Sequence, residues 1–306
     1  MTTITATMVR ELRDSTGAGM MDCKKALAEV GGDMEAAVDW LRKNGLAAAA
    51  KKAGRVAAEG LVGVEAAGTR GTMVEVNAET DFVARNESFR HFVEKLTHLA
   101  FEQRTKIEDI STLAYSEDRT VGEELTHLIS IIGENMSIRR VEEIFVQKGV
   151  VVSYIHNMVA PHLGRIGVLV GLESAAKEEV LQEIGKQIAM HVAAARPIAL
   201  RPEDITEDIL HRERDILTEQ SKSSGKPEAV IAKMVEGRMR KFYEENALLE
   251  QKFVMNPDIA IWEFLAEKGK ELGCEVTLVA FKRFELGEGI AKKEDNFAEE
   301  VASMAT

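Results

Sequence analysis

Gly17 and Gly19 are spaced like the start of a dinucleotide-binding fingerprint, in which a tight glycine turn lets backbone amides approach a pyrophosphate. No strand pattern precedes them, and Asp22 stands where a third glycine belongs, so a helix-breaking turn accounts for the pair. A phosphate loop needs an upstream glycine and a Ser or Thr after its Gly-Lys pair. Gly185-Lys186, Gly225-Lys226 and Gly269-Lys270 lack both. No nucleophile-elbow pentapeptide and no paired-histidine zinc helix occurs. The seven histidines (His91, His98, His127, His156, His162, His191 and His211) form no group at ligand spacing, and read as solvated or structural. Glu123-Glu124 and Glu142-Glu143 read as solvated faces rather than acid–base dyads. Cys23 and Cys274 are too few for a disulfide framework or a four-cysteine zinc site, and suit a reducing compartment. The chain is read as a non-enzyme with no cofactor, no metal site and no nucleotide of its own.

Thr80-Asp81-Phe82-Val83 is a candidate of another kind. Thr80 or Asp81 would cap a helix start by accepting backbone N–H groups, with Asp81 fixing the angle at which Phe82 is presented. Two readings of the ring stay open on spacing alone. It is a core residue or a hydrophobic staple, or it is an apolar wedge offered to a protein partner.

The elements that must position these residues follow from periodicity. Val9 and Leu12, then Met20, Cys23, Leu27 and Val30, give helical spacing broken at Thr16–Gly19. Gly31-Gly32-Asp33 is a second break, with Asp33 the cap of a helix running to about Gly45. Residues 1–55 therefore read as a three-helix module ending in an Ala/Lys-rich connector, helical or flexible. Leu61–Val64 and Thr72–Asn77 flank a Gly68–Gly71 turn as a hairpin. A helix striped by Phe89, Phe92, Val93, Leu96 and Ala100 follows, with Ser88 as its cap. Val150–Ile155, Arg165–Val170 and a helix striped by Val180, Ile184, Ile188 and Val192 repeat the pattern, which implies a duplicated α+β core. The first copy carries Ala78–Asn86 between its second strand and its helix, where the second has small and charged residues. Two amphipathic segments about Ser223–Pro227 read as an antiparallel helical hairpin. A strand over Glu275–Phe284 returns to the core, and Phe297, Val301 and Met304 stripe a terminal helix. The expected division is 1–55, a core N-subdomain 56–149, a core C-subdomain 150–204 and 248–285, the hairpin 205–247, and a C-terminal helical module 286–306.

Composition excludes several partners. With 51 acidic and 39 basic residues the net charge is −12, which repels phosphate backbones and makes nucleic acid a poor partner. Residues 1–60 are the exception, with nine Lys/Arg against eight Asp/Glu, either an ion-pairing face or a solvated one. No run reaches the ~18 apolar residues of a membrane helix, and the N-terminus has neither signal nor transit character. A cytoplasmic protein is expected.

Six motifs in order resemble elongation factor Ts: Leu12–Leu27, Glu79–Asn86, Gly133–Arg140, His191–Pro197, Val235–Met239 and Arg283–Gly289. The resemblance implies a ubiquitin-associated (UBA)-like N-terminal module, an antiparallel coiled-coil insertion and a guanine nucleotide exchange role toward GDP-bound elongation factor Tu. It implies that Thr80, Asp81, Phe82 and Val83 enter the GTPase, where the Phe ring displaces a helix and Mg²⁺ coordination is lost. It also implies that Arg13, Met20 and Met21 dock on a surface helix of the same domain. An adaptor binding ubiquitin-like or nascent chains through the N-terminal module is the alternative.

Overall fold

Residues 4–223 and 226–291 are described by a computed structural model. Helix α1 (Ala6–Thr16) starts at Thr5, whose hydroxyl accepts the Met8 N–H, and ends at left-handed Gly17. Helix α2 (Met20–Glu29) and α3 (Met34–Lys52) follow, α3 capped by Asp33 as expected. Val9, Leu12, Cys23, Ala26, Leu27 and Ala37 form their shared core. Helix α3 does not stop at Gly45. The alanine-rich stretch after it is strongly helix-forming, and Gly45 lies tight against Ser130 of a later helix, so the expected connector is the continuation of α3.

Strands β1 (Glu59–Ala67) and β2 (Arg70–Ala78) form the expected hairpin, paired from Glu59↔Ala78 to Ala67↔Arg70. Helix α4 (Glu87–Gln103) buries Phe89, Phe92, Val93, Leu96 and Ala100 against it. Its cap is Asn86, whose side-chain oxygen accepts the Phe89 N–H at 3.1 Å, and Ser88 lies inside the helix. Two unforeseen elements come next, helix α5 (Val121–Ile132) and strand β3 (Met136–Phe145). A capping box between Thr120 and Glu123 starts α5, so Glu123 is structural rather than one of a solvated pair.

The second copy consists of β4 (Gly149–Ala160), β5 (Leu163–Ser174) and α6 (Glu178–Ala195). Helices α7 (Glu207–Lys222) and α8 (Glu228–Asn246) make the helical hairpin, burying Leu217 and Met239. A short β6 (Lys252–Phe253), β7 (Asn256–Ala260) and α9 (Ile261–Leu272), none of them foreseen, lead into β8 (Val276–Glu285). Ser224, Gly225 and the terminal helix expected around Phe297, Val301 and Met304 lie outside the described residues.

All large-sheet pairings are antiparallel, in the order β3-β2-β1-β5-β4 with β8 also on β5. The chain is α+β: α4 and α5 cover one half of the sheet, α6 and α9 the other. The helix-free faces share a further cluster, Val62, Val64 and Met73 from the first half with Val151, Leu169 and Phe284 from the second. Gly167 permits this close approach, since a Cβ there would lie 2.6 Å from both Met73 Sδ and Val62 Cγ1. Glu75 joins the halves as well. Its side chain is fully buried, and it accepts from Asn77, Arg139, Arg140 and the backbone N–H of Gly287 beyond β8. Burial alone would raise its pKa, but the hydrogen bonds from Gly287, Asn77 and Arg140 and the Arg140 charge hold it below the ordinary carboxylate value.

Candidate functional site

The segment that distinguishes the two copies is built as a turn. After β2 the chain bends at Glu79 and Thr80, turns at Asp81 and Phe82, and runs through a 3₁₀ turn over Val83–Arg85 into Asn86 and α4. The Arg85 N–H donates to Phe82 O at 3.1 Å and the Asn86 N–H to Val83 O at 2.9 Å. A 3₁₀ turn sets successive side chains roughly 120° apart. Phe82 and Arg85, three positions apart, therefore share the outward face, and Val83 and Ala84 take the other two directions. Val83, 3% exposed, and Ala84 pack into the cluster of Phe89 and Phe92, while Phe82 is 73% exposed. The core or staple reading of Phe82 does not hold, because Val83 and Ala84 occupy the interior.

Two details differ from expectation. Neither Thr80 nor Asp81 caps a helix, and the Asp81 side chain makes no hydrogen bond among the described residues. Thr80 is bound elsewhere: its N–H and hydroxyl donate to the two carboxylate oxygens of Glu134, at 2.9 and 2.7 Å. Glu79 receives the Asn135 N–H at 2.6 Å, and the Asn135 side-chain amide donates to Arg55 O at 2.7 Å. Sequence reasoning missed Glu134 and Asn135, which lie 54 and 56 residues from Thr80 and Glu79. Their signal was a helix end at Gly133 followed at once by a carboxylate and an amide, and the partners are invisible to local spacing. Val83, expected beside Phe82 on the outward side, faces inward.

Arg13, Met20 and Met21 flank the Thr16–Gly19 turn between α1 and α2 and are exposed, the methionines by 56% and 75%. Met20 continues the spacing of Cys23 and Leu27 yet lies outside their core, at the first position of its helix. This end of the chain rests on α5: Arg42 pairs with Glu123, Gly45 meets Ser130, and Gly17 lies beside His127 and Ile131. Part of the N-terminal basic run is thus spent internally, since Arg55 also pairs with Glu79. Helix α5 therefore carries the N-terminal helices along its length and the Glu134 corner at its end.

Histidine chemistry is structural where it is buried. The His191 Nδ1 accepts the Val254 N–H at 3.2 Å, and Nε2 lies 2.9 Å from Gln251 Oε1, so Nε2 carries the proton. Burial pushes its pKa below the ordinary value, and burial and the Arg119 charge do the same to His127. Among the described residues no group of His, Cys, Asp or Glu could hold a metal ion, and no helix is long and apolar enough to cross a membrane.

The chain carries an exposed aromatic ring on one turn and exposed methionines on another. The family model described as elongation factor TS matches residues 79–288. Among curated relatives, "Elongation factor Ts" of Rhodospirillum centenum is 59% identical over 306 residues, covering 100% of both chains. The proteins of the same name from Paramagnetospirillum magneticum and Rhodospirillum rubrum are 58% and 57% identical, covering 100% and 99% of this chain and 98% and 99% of their own. With similarity of this depth running through both turns, the chain belongs to the elongation factor Ts family of translation elongation factors.

Proposed function

We propose that this chain binds elongation factor Tu in its GDP-bound form and promotes GDP release, so that GTP can replace it. It acts without covalent chemistry and without a nucleotide or cofactor of its own, in the cytoplasm, and contacts no nucleic acid or membrane. Phe82 is the wedge: it enters the GTPase domain beside the nucleotide site and disturbs the partner's Mg²⁺ coordination. Thr80 and Asp81 form the shoulder of the wedge, and Val83 anchors it from below. Arg13, Met20 and Met21 dock on the same domain, where flexible, polarizable methionines suit a protein surface. In this reading residues 1–55 are a docking module, 56–149 carry the wedge, and 150–204 with 248–285 form the second core half. The hairpin 205–247 and the C-terminal residues 286–306 extend it.

The observation that carries the proposal is Phe82. The ring is 73% exposed on a turn whose next two residues are buried, so the backbone presents it outward and its apolar surface is free to be buried against a partner. Magnitudes explain why one ring needs a whole protein behind it. Weakening GDP binding ~1000-fold takes about 4 kcal/mol of antagonistic coupling. Burying one Phe yields roughly 1.5–3 kcal/mol, part of it spent displacing the partner's own packing. The N-terminal helices and the core supply the remainder. By linkage, GDP weakens this chain's grip on the partner by the same factor, which releases the chain when nucleotide returns.

The test is release of labelled GDP from purified elongation factor Tu with and without the chain. Acceleration at substoichiometric concentration is expected. An unchanged release rate, with a pulldown that captures ubiquitin-like or nascent chains and no GTPase, would favour the adaptor reading.

A further inference from the structure

Glu134 stands between two elements. It follows Gly133, whose left-handed backbone (φ +87°) ends α5, and precedes β3. Its two carboxylate oxygens are divided between two donors of a single residue, the Thr80 N–H and the Thr80 hydroxyl. Thr80 lies two positions ahead of Phe82. On the far side of Phe82, Val83 and Ala84 are fixed in the core. The exposed ring therefore hangs between two pinned points, one apolar and one hydrogen-bonded. The corner that holds the hydrogen-bonded one is braced by Glu79 on the Asn135 N–H and by the Asn135 amide on Arg55 O.

We propose that Glu134 is the positioning residue of the Phe82 turn. It touches neither partner nor nucleotide, and acts through Thr80 by holding the bend before the ring in one geometry. This rests on the wedge reading of Phe82 given above. A free turn would have to lose its conformational entropy at the moment of docking, whereas a turn pinned beforehand has lost it on folding. Bonds to an ionised carboxylate are short and strong, and two of them on one residue fix orientation as well as distance. The sequence motif that contains Glu134 thus serves the Thr80–Val83 motif 54 residues away.

The experiment measures GDP release from elongation factor Tu by the full-length chain, as maximal rate and as the concentration giving half that rate. Glu134→Ala should lower the maximal rate about tenfold, since small misplacements of a positioned group are expensive, while leaving the melting temperature within about two degrees. Glu134→Gln should restore most of the loss, because its carbonyl can accept the Thr80 N–H and its amide can donate to the Thr80 oxygen. Thr80→Val, which removes the hydroxyl donor from the other side, should repeat part of the defect. The deciding measurement is the double variant: combined with Phe82→Ala, Glu134→Ala should add no further loss, because a positioning residue has nothing left to position. Full additivity, an unchanged rate in Glu134→Ala, or a loss matched by a collapsed melting temperature in both Glu134→Ala and Thr80→Val would overturn the proposal. If Phe82→Ala alone exchanges at the wild-type rate, the wedge reading fails first, and the assignment of Glu134 falls with it.

Discussion

Phe82 and Val83 are adjacent and of similar polarity, yet a mutation at each should report on a different property. Phe82 makes little contact with its own chain, so Phe82→Ala should change stability by no more than about 0.5 kcal/mol and still reduce stimulated GDP release severalfold or more. Binding to elongation factor Tu should weaken without vanishing, because docking is spread over several elements. Val83→Ala empties part of the α4 cluster and should cost about 2 kcal/mol of stability. A melting curve and an exchange assay on the same samples separate the two effects. Phe82→Ala with wild-type exchange, or with a large drop in melting temperature, would remove the ring from the mechanism. Asp81 makes no side-chain hydrogen bond or ion pair among the described residues, so Asp81→Ala should leave stability unchanged, and any exchange defect it causes must come from contact with the partner.

Elements are tied together by buried polar groups whose protonation sets a pH dependence. His191, on α6, holds the segment around Gln251 and Val254, and His127 is half-buried on α5. Both have folded pKa values pushed below the ordinary histidine value. The unfolded chain therefore binds protons that the folded chain resists. The stability conferred by the neutral rings is complete above the unfolded value and is lost as pH falls from about 7 toward 5. The exposed His98–Glu65 pair, with His98 raised, works in the opposite sense, but solvent screening keeps its share small. Urea midpoints should be lower at pH 5.5 than at pH 7.5, and a level or rising midpoint would contradict this account.

For the whole molecule the question is how far the N-terminal helices and the core depend on each other. The three helices have their own core, but α3 rests on α5 and Ala49 packs beside the α4–α5 cluster. Deleting residues 1–50 should leave the sheet and its helices folded, with a modest loss of stability from the uncovered face of α5. Stimulated exchange should fall sharply at low concentration and recover in part at high concentration, as expected when a docking element is lost and the wedge remains. Circular dichroism and a concentration series check this. Full exchange activity in the truncated chain would show that Arg13, Met20 and Met21 do no docking. The intact chain, having no phosphate loop, should give no heat with GDP or GTP in calorimetry up to millimolar nucleotide.

Much of this protein is legible from local pattern. The three N-terminal helices, the β1–β2 hairpin, the strand–strand–helix repeat, the α7–α8 hairpin and β8 all carry their own periodicity and turn residues, and those signals act within a few positions. Helix α5, strand β3 and helix α9 did not announce themselves. Strand β3 alternates weakly because the adjacent charged pairs Arg139-Arg140 and Glu142-Glu143 fall on both of its faces, and the capping box of α5 takes its glutamate from an acidic pair that reads as solvated. The sequence alone also singled out Thr80–Val83, since a connection rich in apolar residues contrasts with its small, charged counterpart in the other copy. Which way each side chain points was decided only by the tertiary structure. The direction of Phe82 depends on Val83 and Ala84 finding room beneath α4, and the hold on Thr80 depends on a carboxylate that α5 delivers from 54 residues away. Such contacts arise when separate elements pack, and no spacing along the chain encodes them.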